Sequence, residues 1–444
     1  ATDLNGFQYG RQLEEYRLGT EEPYLKWLFE QCPELAEKQK RWCSHDVDED
    51  GELFFPLDDE LHYDRWIATQ VMDYLAQHAK ADTPQFMWLS SQGPHHPYNP
   101  PKRFKGCVNV DKLPALIPKP EGEICPIHHY REHLMPCFEN NTLANMRKAY
   151  AESISHIDSQ IGRVLQALSD RGMLENTTIL FSSDHGDQLG DHRLFEKGPF
   201  AYSSQLNVPL ILSNHPATTD RPRSEVLTGN IDIPSTVLDV AGSDERLGLS
   251  RSLLDQLTGK PGERRKVNFA ECAGTDKIVE TDAYRYAYYP FTGFAELFDR
   301  KQDPNENHNL AGKEAYRELE LEMMKALHDY VVINSRIKIG GFDLIPEIQE
   351  KIREYHPRFD RPGEFLAAFP LMRGSKEALK HSGLDPNYTN WFKDHDILAH
   401  YGLDFEEMSE GGNEIQDAGG SSVRRPNILW IQTDQQRTDS LGCY

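Results

Sequence analysis

Three groups of polar side chains could carry chemistry, and each directly follows a short apolar run. Asp434 and Gln435 follow NILWIQT, Asp184 and His185 follow TTILFSS, and His95 lies in GPHHPY after FMWLSS. Two carboxylates with an amide and an imidazole suit a divalent cation, and mostly oxygen ligands favour Ca²⁺, Mg²⁺ or Mn²⁺ over a thiolate-type zinc site. A single aspartate after a strand is also a common helix N-cap. Two such turns with histidine and lysine nearby favour the metal interpretation.

The same segments offer residues that could contact an anionic substrate. Lys197, in HRLFEKGPFAY, could hold a substrate oxygen as a point charge, although a solvated surface lysine is the alternative. His95 could donate a proton to a leaving group or hold a substrate oxygen. We interpret His96 as a packing or orienting residue and His192 as a hydrogen-bonding support of the site.

The elements that must position these residues alternate between strand and helix patterns. Amphipathic helical spacing is strongest in the middle of the chain, where Ile154, Ile157, Ile161, Val164 and Leu168 recur. The predicted strands are 85–91, 177–183, 207–213 and 427–433, and the predicted helices are 61–79, 142–169 and 231–242. This alternation predicts an α/β fold with a doubly wound, mostly parallel central sheet flanked by helices. Ligands bind at the carboxyl ends of such strands, so the three polar groups can converge on one site.

The pattern changes near residue 265. KVNFAEC, YRYAYYP and AELFDR are typical of a smaller antiparallel sheet, and 313–332 predicts a helix. Residues 99–140 are expected to form a long excursion over the active face. The predicted organisation is a main α/β domain of residues 1–264 plus 423–444, an α+β subdomain of residues 265–339, and an extension with a linker at 340–422.

Composition excludes several classes of partner. The net charge of −23 disfavours binding to nucleic acid or anionic membranes. No run of about 18 apolar residues is present, so no membrane span is predicted. The seven cysteines are scattered without a C-x-x-C pair, which predicts neither a disulfide framework nor a structural zinc site. Scattered cysteines without a disulfide pattern are slightly more typical of a reducing compartment than of an oxidising one. A cytoplasmic location is therefore slightly favoured, with a periplasmic or secreted location left open.

Taken together, these segments resemble the sulfatase family, the group of formylglycine-dependent sulfatases and phosphonate monoester hydrolases in the alkaline-phosphatase superfamily. SSDHGDQLGDH with Lys197 resembles the second metal motif of the family, and GPHHPY resembles its His-x-Pro segment. RPNILWIQTDQQRTDSLGCY resembles the amino-terminal strand of the family, which carries its first metal ligands. The resemblance covers roughly 60–312 and 424–444.

The resemblance implies an alkaline-phosphatase-like fold and a set of roles. Calcium is the implied cation, with magnesium or manganese as alternatives, and a cysteine oxidised to formylglycine is the implied nucleophile. The implied metal ligands are Asp434, Asp184 and His185, with Gln435 in the place of a second aspartate. His95 and Lys197 would contact the sulfate. Arg437 and Asp439 would brace the metal loop.

Two departures from the family pattern stand out. None of the seven cysteines lies in a Cys-x-Pro-x-Arg motif, and the strand expected first lies at the carboxyl-terminal end. We therefore expect the natural order to begin near Ser421 or Val423, with a nucleophile segment on the order of 100 residues missing between Tyr444 and Ala1.

The sequence thus predicts a metal-dependent hydrolase of a small-molecule or carbohydrate sulfate ester. One alternative is a phosphonate monoester or phosphodiester hydrolase on the same scaffold, which the Asp434–Gln435 pair keeps open. Another is an inactive fragment or binding protein that lacks the nucleophile. A homo-oligomer is also left open, because the excursion and the extension could form subunit contacts.

Overall fold

The computed structural model describes a large part of the chain. The described residues are 7–11, 13, 22–36, 46–47, 52–80, 83–126, 128, 141–218, 223–243, 245, 247–258, 265–272, 276–290, 292–334, 338–339, 342–343 and 426–434. Gln435, Arg437 and Asp439 lie outside these residues, as does nearly all of the predicted extension and linker at 340–422.

Between residues 63 and 240 helices and strands alternate, as predicted. The described helices are Pro23–Gln31 (α1), Pro33–Ala36 (α2), Tyr63–Gln77 (α3), Asn141–Asp170 (α4), Ser203–Leu206 (α5), Ile233–Val240 (α6), Leu253–Thr258 (α7) and Arg317–Asn334 (α8). The described strands are Asp46–Val47 (β1), Leu53–Phe54 (β2), Phe86–Ser90 (β3), Thr177–Ser183 (β4), Leu210–Ser213 (β5), Asn268–Ala270 (β6), Lys277–Glu280 (β7), Tyr284–Tyr289 (β8), Phe294–Asp299 (β9), Lys338–Ile339 (β10), Phe342–Asp343 (β11) and Asn427–Thr433 (β12).

The central sheet has the strand order β3-β12-β4-β5. Strand β12, the last in sequence, pairs in parallel with both β3 and β4, whereas β5 pairs antiparallel with β4 at the edge. The prediction of a mostly parallel sheet is therefore confirmed. The register aligns Gln432 with Ser90 and Thr433 with Ser183, so three parallel strands end at one edge of the sheet.

Helices cover both faces of this sheet. On one face, Leu429 and Ile431 pack with buried side chains of α3 and α4, including Leu75 and Leu168. On the other, Ile428 packs with Leu180 of β4 and with residues of α6 and α7. Because β12 is buried on both faces, its sequence is a nearly continuous apolar run instead of an alternating one.

The smaller antiparallel sheet is also confirmed, in the order β6-β7-β8-β9. Strand β7 was not predicted, since KIVE carries a charge at each end and is only four residues long. Arg285 of β8 is buried and bonds to Glu306, to Ser203 Oγ and to the carbonyl of Ala201, which fastens this sheet to the loop before α5.

The chain divides into two compact units, residues 1–327 with 424–444 and residues 328–423. Both four-stranded sheets lie in the first unit. In the part of the chain that the structure describes, no helix has the length and apolar character needed to cross a membrane.

Candidate active site

The three polar groups predicted from the sequence meet at the carboxyl edge of the central sheet. Asp434 follows β12 and Asp184 follows β4, and the two strand ends are joined where Ser183 Oγ donates to Thr433 O at 2.9 Å. The turn after β3 joins from the other side, because Ser91 N donates to Gln432 O at 2.8 Å and Asp434 N donates to Gly93 O at 3.3 Å.

Asp184, His185 and Asp434 form a cluster whose potential ligand atoms all lie within 4.8 Å of one another. His185 Nε2 lies 3.5 Å from Asp184 Oδ2 and 3.6 Å from Asp434 Oδ1, an oxygen shielded from solvent. Two carboxylates held this close repel each other, so the cluster suits a divalent cation placed between them. Its donors are mostly oxygen, which fits a hard cation such as Ca²⁺.

The surroundings of His185 favour the neutral form of its ring. Its Nδ1 donates to Gly186 O at 2.9 Å, which directs the lone pair of Nε2 toward the carboxylates. Burial lowers the pKa of His185, against the opposing effect of the Asp184 charge. The imidazole is therefore unprotonated near neutral pH, as metal binding requires.

The sequence pattern did not identify Asn230 and Gln205, two residues that hold the loop of Asp184 in place. Asn230 Nδ2 donates to Ser183 O at 2.7 Å and to Asp184 O at 3.3 Å. Gly186 N donates to Gln205 O at 2.7 Å, which ties the loop to the end of α5. Asn230 directly precedes the predicted helix 231–242. This position before a helix is the sequence feature that could have identified it as a hydrogen-bonding residue of the site.

His95 and Lys197 lie together beside this cluster. Lys197 Nζ is 3.3 Å from His95 Nε2, while His95 Nδ1 is 2.6 Å from His96 O and therefore carries the proton. The positive charge of Lys197 contributes to the lowered pKa of His185, which reflects its closeness to the cluster. The structure thus brings together a carboxylate-rich cluster and a cationic side chain, although the chain as a whole is acidic.

His192 lies in a separate, buried environment. Its ring stacks on Tyr202 with centroids 3.8 Å apart, and its Nε2 lies 2.9 Å from Asn305 O. His96 Nδ1 lies 3.5 Å from Glu196 Oε1. These contacts order the loops on either side of Lys197, and the support role proposed for His192 stays a prediction.

Comparison with known proteins places the chain in a family. The family model described as Sulfatase matches residues 8–243, more than half of the chain, and a model described as N-sulphoglucosamine sulphohydrolase, C-terminal, matches residues 190–332. An arylsulfatase of Clostridium perfringens is 30% identical over 278 residues, which is 59% of this chain and 56% of that protein. The multifunctional alkaline phosphatase superfamily protein PehA of Trinickia caryophylli is 27% identical over 345 residues, covering 67% of this chain and 66% of PehA.

Solved structures share the fold. The crystal structure of the phosphonate monoester hydrolase of Agrobacterium radiobacter matches with a TM-score of 0.57 at 20% identity, covering 70% of this chain and 69% of that one. The chain spans between about half and two thirds of the length of these curated relatives. The predicted α/β architecture of the alkaline-phosphatase type is confirmed by this likeness together with the two sheets. The chain belongs to the Sulfatase family.

Proposed function

We propose that the protein hydrolyses a sulfate ester with the help of a divalent cation held by Asp184, His185 and Asp434. The observation that carries the proposal is the convergence of these three ligand atoms within 4.8 Å, with Lys197 beside them. Membership of the Sulfatase family supports the same chemistry. Gln435 is the proposed further ligand, and Arg437 and Asp439 are the proposed braces of the metal loop.

The charged groups of the site have separate proposed roles. A bound cation supplies positive charge that neutralises sulfate oxygens. Lys197 adds a second positive charge on the side of His95 and stabilises negative charge that develops on the transferring group. Because Nδ1 already carries a proton, His95 Nε2, which faces Lys197 at 3.3 Å, would hold a substrate oxygen or deliver a proton to the departing oxygen in the doubly protonated form of the ring. We propose calcium as the cation because the donors are mostly oxygen.

The residues present do not fit the formylglycine implied by the family. None of the seven cysteines lies in a Cys-x-Pro-x-Arg motif. The cysteines that the structure describes form no disulfide with one another; they are Cys32, Cys107, Cys125 and Cys272. None of these cysteines is proposed as the nucleophile. Binding of the cation and of the anion can still be tested on it directly.

Calorimetry tests the proposal in two stages. The wild-type chain is titrated first with Ca²⁺ and then, when calcium-loaded, with nitrophenyl sulfate. We expect calcium to bind once per chain and to strengthen binding of the sulfate ester at least tenfold, because the cation neutralises the two aspartates. Equal affinity for the ester with and without calcium would contradict the proposal.

A phosphonate monoester hydrolase is the second candidate. The likeness to PehA, described as a multifunctional alkaline phosphatase superfamily protein, favours it, as does Gln435 in the place of a second aspartate. Turnover of nitrophenyl sulfate and of a nitrophenyl phosphonate monoester by protein that contains the nucleophile separates the two candidates. A higher kcat/KM for the phosphonate would favour this second candidate.

We propose a small-molecule or carbohydrate sulfate ester as the substrate. The match of residues 190–332 to a model described as N-sulphoglucosamine sulphohydrolase, C-terminal, supports the carbohydrate class. Comparison of binding of a sulfated glucosamine with nitrophenyl sulfate tests this choice. Tighter binding of the aryl ester would favour a small aromatic substrate instead.

A further inference from the structure

A buried carboxylate lies directly behind the turn that carries His95. Asp64 is the second residue of α3 and is only 3% exposed. Its Oδ1 accepts three hydrogen bonds from consecutive residues of the turn, from Ser91 Oγ at 2.6 Å, Gln92 N at 3.1 Å and Gly93 N at 3.2 Å. One side chain thus fixes the path of the backbone between β3 and the residues that approach the site.

The turn is held from both sides. A Cβ on Gly93 would lie 2.7 Å from Asp64 Oδ2 and 2.9 Å from Ile157 Cδ1, so the backbone is pressed against the carboxylate and α4. On its other side, the carbonyl of Gly93 accepts from Asp434 N at 3.3 Å. The position of His95, two residues further on, follows from the position of Gly93.

The geometry points to Asp64 as a positioning residue, whose carboxylate fixes the turn so that His95 faces Lys197 and the anion. This inference rests on the proposed function in one respect, the assumption that His95 and Lys197 bind a sulfate. The positioning of His95 against Lys197 by Asp64 is argued from the hydrogen bonds of the turn alone. Asp64 itself touches neither of these two residues.

Another use of Asp64 is as a metal ligand, since His62, Asp64 and His156 also offer ligand atoms within 4.8 Å of one another. The hydrogen bonds argue against it. His62 Nδ1 accepts from Asp64 N at 3.2 Å, and His62 Nε2 lies 3.3 Å from Asn99 O. Both ring nitrogens of His62 are thus engaged, so His62 would bind a metal only by losing its hydrogen bond to Asp64 N or to Asn99 O.

Burial of the group is consistent with a bracing role. Burial lowers the pKa of His62 to about 3, so its ring is neutral, and burial raises the pKa of Asp64 to about 6. Asp64 is therefore ionised near neutral pH. A carboxylate that accepts from two backbone N–H groups and a hydroxyl forms charge-assisted hydrogen bonds, which are stronger than neutral ones.

The test compares Asp64→Asn with Asp276→Asn as a matched control. Asp276 is also a buried aspartate whose pKa burial raises to about 6 and which accepts a backbone hydrogen bond, from Cys272 N at 2.5 Å, but it lies before β7 in the antiparallel sheet. We expect Asp64→Asn to weaken nitrophenyl sulfate binding by the calcium-loaded protein about fivefold or more, with calcium affinity within about threefold of wild type. Asp276→Asn should change neither.

Two further measurements separate positioning from a general loss of stability. In the His95→Ala background, Asp64→Asn should cause no additional loss of ester binding, because residues that act through one another are not additive. Ser91→Ala removes only the shortest of the three hydrogen bonds and should produce a smaller effect of the same kind. It also serves as the working variant if Asp64→Asn does not fold.

Nuclear magnetic resonance of the His95 ring tests the inference independently of sulfate binding. In the wild-type chain, Lys197→Met should shift the ring signals of His95, and in the Asp64→Asn background this shift should shrink by half or more. An unchanged shift, or additive effects of Asp64→Asn and His95→Ala, would overturn the inference. Absence of ester binding by the wild-type protein would instead count against the proposed function. The resonance experiment would then still test whether Asp64 positions His95.

Discussion

Asp434 Oδ1 lies 3.6 Å from His185 Nε2, although the two residues are far apart in the sequence. They meet because β12 inserts between β3 and β4 and ends in register with β4. The order of the strands along the chain therefore matters less to the site than their order in the sheet. This contact also brings two acidic residues into one cluster, which leads to the first prediction.

Asp184→Ala should abolish binding of the divalent cation. The substitution removes one of the two carboxylates, and the remaining Asp434 and His185 present too little negative charge to dehydrate Ca²⁺. Elemental analysis of the purified protein and calorimetry with Ca²⁺ measure the loss. Asp73→Ala, which removes an exposed acid on α3, is the control and should keep full affinity.

Calcium content equal to wild type in Asp184→Ala would refute the assignment of this cluster as a metal site. The folded state of the variant needs to be established first, because His185 N donates to Asp184 Oδ1 at 2.7 Å. Removal of a partly exposed carboxylate at a strand end should cost about 1 kcal/mol of stability, well short of unfolding the domain.

Lys197→Met should weaken binding of nitrophenyl sulfate at least tenfold while calcium affinity stays the same or rises. Methionine keeps much of the length of lysine and removes only the positive charge, which repels the cation and attracts the anion. Calorimetry on the calcium-loaded protein measures both affinities. Lys301→Met, at an exposed lysine after β9, is the control. Equal ester affinity in the two variants would place Lys197 outside the anion site.

Gly186→Ala should destabilise the protein by about 3 kcal/mol and weaken calcium binding. An added Cβ would lie 2.0 Å from Ser204 O and 3.1 Å from Ser204 C, and backbone atoms cannot rotate away as a side chain can. The loop carrying His185 would have to move. Denaturant unfolding gives the stability, and calorimetry gives the calcium affinity.

Gly162→Ala is the matched control for this glycine. Gly162 is an exposed residue within α4, and an added Cβ would have no heavy atom within 4 Å. The same chemical change should therefore stabilise the protein by about 0.5–1 kcal/mol, because alanine favours the helix. Equal effects at the two positions would show that the close approach of Ser204 to Gly186 does not occur.

Much of the sheet and of the site could be predicted because the relevant signals are local. TTILFSS and NILWIQT form strands with the predicted bounds, since a strand buried on both faces must be apolar throughout. A carboxylate directly after such a strand has to lie at the carboxyl edge of the sheet. The residue types therefore predict that Asp184 and Asp434 lie at the same edge of the sheet, whereas their contact follows from the pairing of β12 with β4.

The rest could not be predicted, because it depends on contacts that no local pattern encodes. Asp64 is one of two acids in α3, and only the packing of α3 behind β3 brings it beneath Gly93. The direction of β5 is set by pairing with β4 and not by the composition of LILS. Strand β7 is too short and too charged at its ends to be distinguished from a loop.

Glu296→Gln should make the stability of the protein less dependent on pH. Glu296 is buried in β9 and accepts from Tyr289 OH at 2.6 Å. Burial raises its pKa to about 7, and the nearby Glu306 and Asp276 carboxylates add to the effect. Because the folded-state pKa is raised above the ordinary glutamate value of 4.5, the folded protein binds a proton that the unfolded chain has released. The stabilising contribution of Glu296 is thus complete below about pH 4.5 and is lost as the pH rises to about 7.

The glutamine variant keeps an acceptor for Tyr289 and does not titrate, so it avoids that loss. Relative to wild type, its free energy of unfolding should improve by on the order of 2–3 kcal/mol between pH 5 and pH 8, since one pKa unit corresponds to about 1.4 kcal/mol. Denaturant unfolding at both pH values measures this difference, and Glu318→Gln, at an exposed glutamate of α8, should leave the pH dependence of wild type unchanged. Parallel curves for Glu296→Gln and wild type would mean that Glu296 titrates alike in the folded and unfolded states, which its burial beside Glu306 argues against.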